Sequence, residues 1–201
     1  MSELDTQQIF EKKLKDVHVK IACYIEFIML SIIIPVYNEV KTIDKIIAKI
    51  NKIKNIKKQI IVVDDGSDDG TTEKLKKINK SFKIDKIIYC KNNYGKGHAI
   101  NLAQKKIKEK FTLIQDADLE YDPKDYIKII NILKKKNYKI VYGSRVLGIN
   151  RYSKNNFTSN IRVFANHILT IISNIINSQN LTDAHTCYKA FDTKIFKKIK
   201  L

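Results

Sequence analysis

Two hydrophobic rhythms alternate along this chain. Short, nearly continuous apolar runs occupy 30–35, 60–63, 85–90, 111–115 and 138–142, and between them apolar residues recur every three or four positions. The runs predict strands. The 60–63 run, IIVV, is uniformly β-branched, the signature of a strand buried on both faces in a parallel sheet. The spaced stretches predict amphipathic helices. Ile43, Ile46, Ile47, Ile50 and Ile53 mark one helix; 71–78, 98–108, 123–136 and 159–177 carry the others. Strands alternating with helices make an α/β domain with parallel strands at its centre, and ligands of such sheets bind off the carboxyl ends of the strands. Residues 1–28 show only a loose helical pattern and are expected to be an N-terminal appendage, with 29–201 as one domain.

Unexplained polar residues collect at those expected strand ends. In FTLIQDADLEYDP (111–123) the strand ends in Asp116 and Asp118, one residue apart. Residues two apart on an extended segment share a face, so the pair suits a hard divalent cation such as Mg²⁺ or Mn²⁺. The plainer use for an acid after a strand is to cap the next helix. That role falls to Asp122, because Pro123 follows as a natural first helical residue and Asp125 stands at the third position.

The 60–63 strand empties into DDGSDDG (64–70). A calcium loop starting at Asp65 would need an acid where Lys76 stands, and a strand precedes it in place of a helix, so that reading fails. Asp68 or Asp69 is expected to cap the following helix, which leaves Asp64 and Asp65 at the strand tip. NYGKG (93–97) lacks the Walker A spacing, yet its glycines permit close backbone approach and Lys96 suits a diphosphate. Pro35 to Glu39 is a loop carrying an aromatic and an acid. The 138–142 strand ends in Gly143-Ser144-Arg145, and an arginine there favours phosphate or substrate contact.

Composition narrows the partners. The formal charge is +17, from 38 basic and 21 acidic side chains, and only Arg145, Arg151 and Arg162 among the basic residues are arginine. Lysine is spread over every predicted helix with no concentrated block, which argues against nucleic-acid recognition and suits attraction to anionic lipid headgroups. Hydrophobic residues make up 44% of the 201, enough for a sizeable core. Cys23, Cys90 and Cys187 are widely separated, which excludes a disulfide framework or a zinc site and suggests a reducing, cytosolic setting. The acidic, polar start does not look like a signal peptide, and no apolar run approaches the roughly 20 residues of a membrane-spanning helix.

Six blocks in order, SIIIPVYNE (31–39), IIVVDDGSDDGT (60–71), NNYGKGHA (92–99), QDADLEYDP (115–123), YGSR (142–145) and LTDAHTCYK (181–189), resemble family 2 glycosyltransferases of the GT-A fold, near the dolichyl-phosphate mannosyltransferase and polyprenyl-phosphate glycosyltransferase group. The resemblance implies a nucleotide-diphospho-sugar transferase fold with a Rossmann-like, mostly parallel central sheet flanked by helices. It implies that Pro35, Tyr37, Glu39, Val63 and Asp65 hold the nucleoside of a sugar nucleotide such as GDP-mannose or UDP-glucose. Asp118 would ligate Mg²⁺ or Mn²⁺, with Glu120 as a further ligand; Asp116 and Ala117 would lie by the nucleotide and sugar, and Lys96 by the diphosphate. Arg145 would face the phosphates or the acceptor, and Arg162, Asp183 and Lys189 would lie at the acceptor end. Asp183 or Asp116 would serve as base if the acceptor were a hydroxyl.

The implied reaction is inverting transfer to a polyprenyl or dolichyl phosphate by an enzyme peripheral to the cytoplasmic membrane face. Against that pattern the chain ends soon after Lys189, where members of the family continue with segments that close the acceptor side. It is therefore expected to be C-terminally truncated, and a non-catalytic sugar-nucleotide-binding remnant or partner subunit is the alternative expectation.

Overall fold

Isoleucine and valine build the centre of the sheet. In the computed structural model the described residues are 28–136, 138–144, 157–186 and 188–200. The expected appendage 1–28 lies outside them except for Ile28, as does Arg145; Arg162 falls in a described helix, but its side chain is outside.

Strands β1 (Ile28–Val36), β2 (Ile56–Asp64), β3 (Lys86–Tyr89), β4 (Phe111–Ile114), β5 (Ile140–Tyr142) and β6 (Lys189–Asp192) form one sheet in the order β3-β2-β1-β4-β6-β5. The first four run parallel, and β6 is antiparallel to both of its neighbours. Leu30, Ile32, Ile33 and Ile34 of β1 and Ile61, Val62 and Val63 of β2 are fully buried, as expected of strands covered on both faces. Helices α1 (Ile43–Lys52), α2 (Thr71–Ile78), α3 (Lys96–Gln104), α4 (Tyr126–Lys136), α5 (Phe157–Ile176) and the short α6 (Thr193–Phe196) flank the sheet, with a single 3-10 turn at Pro123–Asp125 before α4.

The helical periodicity of α1 translates directly into burial, since Ile43, Ile46, Ile47 and Ile50 are all inaccessible. Its C-terminal carbonyls are satisfied by one side chain. The Lys58 ammonium donates to the oxygens of Ile50 (2.9 Å), Asn51 (3.1 Å) and Ile53 (2.6 Å). A cation at the negative end of a helix is favourable, although burial and the nearby Lys83 push its pKa down.

Two differences from the sequence expectations matter for the site. Helix α3 starts at Lys96, two residues earlier than expected, so the NYGKG lysine is a first-turn helical residue following Gly95, whose φ is 92°. Strand β6 was not foreseen. It is four residues long, too short for a periodic signal, and it is specified by pairing between β4 and β5.

Candidate active site

Parallel strands bring four loops to one edge. Register places Val36 beside Asp64, and Asp64 beside Tyr89, while Ile33 pairs with Ile114 so that β4 ends close by. Because β6 runs the other way, its first residue, Lys189, lies at this same edge between Ile114 and Tyr142. Antiparallel insertion thus returns the LTDAHTCYK block to the carboxyl edge of the parallel strands.

A cleft of about 260 Å³ opens there, lined by Pro35, Tyr37, Asp65, Asn93, Gly95 and Lys96 among others. The two carboxylates at the tip of β2 organise the loops around it. Asp65, 3% exposed, accepts the backbone N–H of Tyr94 at 3.2 Å and of Gly95 at 2.7 Å, so it fixes the NYGKG turn. Asp64 accepts Ser67 N–H and Oγ–H at 3.1 and 2.6 Å and the Thr72 hydroxyl at 2.5 Å. Buried carboxylates at this edge also act on their neighbours: burial, then Asp65 and Asp64, push the Cys90 thiol up, and burial with Asp64 does the same to the Tyr89 phenol.

Neither Asp68 nor Asp69 takes the expected cap of α2, because the N-cap position falls to Gly70, at φ 96° and with no side-chain cap bond; Asp69, one residue earlier, accepts Thr71 N–H at 2.9 Å and also ties down Val40 N–H at 3.1 Å. Asp68 instead pairs with the Asn38 side chain, which donates to it at 2.8 Å and accepts its N–H at 3.0 Å. Asn38 itself sits at φ 56°, a conformation Asn tolerates. The Glu39 carboxylate accepts the Thr42 hydroxyl, and Glu39 N–H donates to Thr71 Oγ at 2.9 Å. Tyr37 is 44% exposed on the cleft wall, whereas Val63 is fully buried opposite Pro35, behind the cleft surface.

After β4 the chain makes the Asp116-Ala117-Asp118 turn. Asp116 Oδ1 meets Lys96 Nζ at 2.5 Å, Ala117 is buried, and Asp118 Oδ1 accepts Glu120 N–H at 3.0 Å across Leu119, whose φ is 65°. Asp122 caps the next turn by accepting Lys124 N–H at 3.0 Å, as expected. Among the described residues no three acidic, imidazole or thiol groups gather into a ready-made metal cage. The turn nevertheless fits Mg²⁺ or Mn²⁺. Such ions commonly use one or two carboxylates and take the rest of their shell from water and phosphate, and Asp118 is exposed with one oxygen outside its turn hydrogen bond.

Sequence reading missed what holds this turn. Gln115 is fully buried at the end of β4; its Oε1 accepts the hydroxyls of Tyr126 (2.8 Å) and Tyr188 (2.9 Å), while its Nε2 donates to the Asp116 carbonyl at 2.9 Å. The rings of Tyr121 and Tyr188 lie 4.5 Å apart and complete the packing. The available signal was an amide inside an apolar strand, which must find partners when buried. At the acceptor-end block, Asp183 is 3% exposed, and Lys189 Nζ donates to the Thr186 carbonyl at 2.5 Å and lies 5.4 Å above the Tyr142 ring.

The family model for glycosyl transferase family 2 matches residues 31–200. The chain belongs to that family. It is 30% identical over 197 residues to dolichyl-phosphate beta-glucosyltransferase of Saccharomyces cerevisiae, covering 87% of this chain and 58% of that protein. It is 31% identical over 116 residues to dolichol-phosphate mannosyltransferase of Pyrococcus furiosus, covering 57% and 32% respectively. The mannosyltransferase of Pyrobaculum calidifontis, solved with GDP-Man and Mn²⁺, superposes with a TM-score of 0.60 at 18% identity, over 84% of this chain and 46% of that one. The fold is therefore GT-A, as the sequence blocks implied. The family 2 chain spans about a third to three fifths of these two curated relatives' length.

Proposed function

We propose that this family 2 chain transfers a hexose from a nucleoside diphosphate sugar to a polyprenyl or dolichyl phosphate, with Asp118 holding a divalent cation. The observation that carries the reading is convergence: the cleft residues Pro35, Tyr37, Asp65 and Lys96 and the Asp116–Asp118 turn meet at one sheet edge through the Lys96–Asp116 contact. The printed names of the two relatives support the lipid-phosphate acceptor, and the Mn²⁺ in the related mannosyltransferase supports the metal.

In this reading the nucleoside lies in the cleft against Pro35 and Tyr37, on a loop that Asp65 organises. The diphosphate faces Lys96, and Asp118, with Glu120 as a further ligand, holds the cation beside Asp116 and Ala117. The cation would neutralise charge on the departing diphosphate. An acceptor phosphate is already ionised near neutral pH, so its oxygen attacks the anomeric carbon as the sugar–phosphate bond breaks on the opposite side, and no strong base is required. Lys189, with Arg145 and Arg162, is assigned to the acceptor's phosphate, and Asp183 to that end of the site.

Peripheral membrane contact has its own support. Helix α5 leaves Phe164, Ile168, Leu169, Ile171 and Ile172 exposed, with Ile175 and Ile176 at 74%, on a chain of formal charge +17. Among the described residues no helix is long and apolar enough to cross a membrane.

Titration calorimetry with UDP-glucose and GDP-mannose, with and without Mn²⁺, tests the donor site; Asp118→Ala is expected to abolish the Mn²⁺-dependent part while leaving the melting curve intact. Survival of that binding overturns the assignment of Asp118. Product formation on a polyprenyl phosphate separates the enzyme from a non-catalytic binding remnant, which would bind donor without turnover.

A further inference from the structure

We propose that Lys96 is a stand-in cation for the Asp116–Asp118 turn: it neutralises Asp116 until a divalent ion reaches the turn, then transfers its charge to the donor's diphosphate. This deepens the reading above and rests on it. Lys96 is the first residue of α3, held in place by the Gly95 N–H bond to Asp65, and its side chain reaches across to the end of β4. It is at once a wall of the cleft and the partner of Asp116.

The exchange follows from charge and exposure. The Lys96 side chain is 50% exposed and that of Asp116 23%, so the pair is weak and its flexible four-carbon stem lets the ammonium move without backbone change. An ammonium 2.5 Å from Asp116 repels a dication arriving at the same turn. A diphosphate supplies enough negative charge for both. Metal alone therefore binds weakly, nucleoside diphosphate binds with it cooperatively, and by linkage each raises the affinity of the other equally. Lys96 would so be a positioning residue that couples the metal to the donor and discourages metal binding without one.

The test measures Mn²⁺ binding to the full chain by the electron paramagnetic resonance signal of free Mn²⁺, first alone and then with UDP or GDP. Lys96→Gln is expected to bind Mn²⁺ alone about tenfold more tightly than wild type and to lose most of the coupling with the nucleotide. Lys96→Arg, which keeps the charge, is expected to restore both wild-type values; a structural role for the lysine stem would not be rescued in this pattern. Melting curves confirm that the variants fold. Unchanged or weaker Mn²⁺ binding by Lys96→Gln, with Asp118→Ala abolishing the wild-type binding, overturns the proposal alone. Absence of Mn²⁺ binding by wild type even with nucleotide overturns the metal reading and this proposal together.

Discussion

The Tyr188 hydroxyl donates to Gln115 Oε1 at 2.9 Å, joining residues 73 positions apart at the junction of β4 and β6. Through the same amide, Gln115 Nε2 holds the Asp116 carbonyl, so a single buried side chain couples the acceptor-end block to the carboxylate turn.

Replacing Gln115 with Leu is expected to destabilise the chain by about 1–3 kcal/mol, because Tyr126 and Tyr188 lose their shared acceptor inside the protein. Nucleotide affinity should fall as well, since the Asp116 turn loses an anchor. Tyr126→Phe removes one bond and leaves the amide-to-turn bond in place, so it should cost about 1 kcal/mol and spare nucleotide binding. Urea denaturation and calorimetry check the pair; equal loss of nucleotide binding in both variants would contradict the positioning role.

Asp65 organises the cleft from below. Asp65→Ala removes the acceptor of Tyr94 N–H and leaves Gly95 N–H only its bond to Asn93 Oδ1, and should destabilise by about 1–2 kcal/mol, with loss of donor binding. Gly66→Ala perturbs the same contact from the other side. A Cβ there would lie 2.5 Å from the Asn92 carbonyl carbon, at a φ of 76° that disfavours any side chain. Both changes should lower the melting temperature, and a Gly66→Ala chain that melts with the wild type would show that the loop can yield.

Asp69 predicts an acid-side dependence. Partial burial works against its charge, but hydrogen bonds from Thr71 and Val40 outweigh that and hold its carboxyl below the usual range. A depressed folded pKa contributes stability above the unfolded value and loses it as pH falls through the folded one. The contribution should thus be complete above about pH 4 and fade below it. Asp69→Asn should flatten that part of the stability profile and, given the exposure of the residue, cost at most about 1 kcal/mol at neutral pH. Thermal unfolding between acidic and neutral pH checks the slope.

By itself the sequence determined the alternation of strands and helices, the double burial of β1 and β2, the capping by Asp122 and the family, because each rests on residues close together in the chain: IIVV in β2, the isoleucine period of α1, Pro123 after Asp122, and blocks of fixed local spelling. Only the tertiary structure decided which carboxylates hold the loops. Asp64 and Asp65 look alike in sequence, yet one bonds Ser67 in its own turn and Thr72 at the start of α2, while the other bonds a loop 29 and 30 residues away. The antiparallel β6, the Gln115 hub and the Lys96–Asp116 pair were likewise invisible. Each is a contact between segments whose separation along the chain carries no local signal, and pairing geometry, not propensity, brings them together.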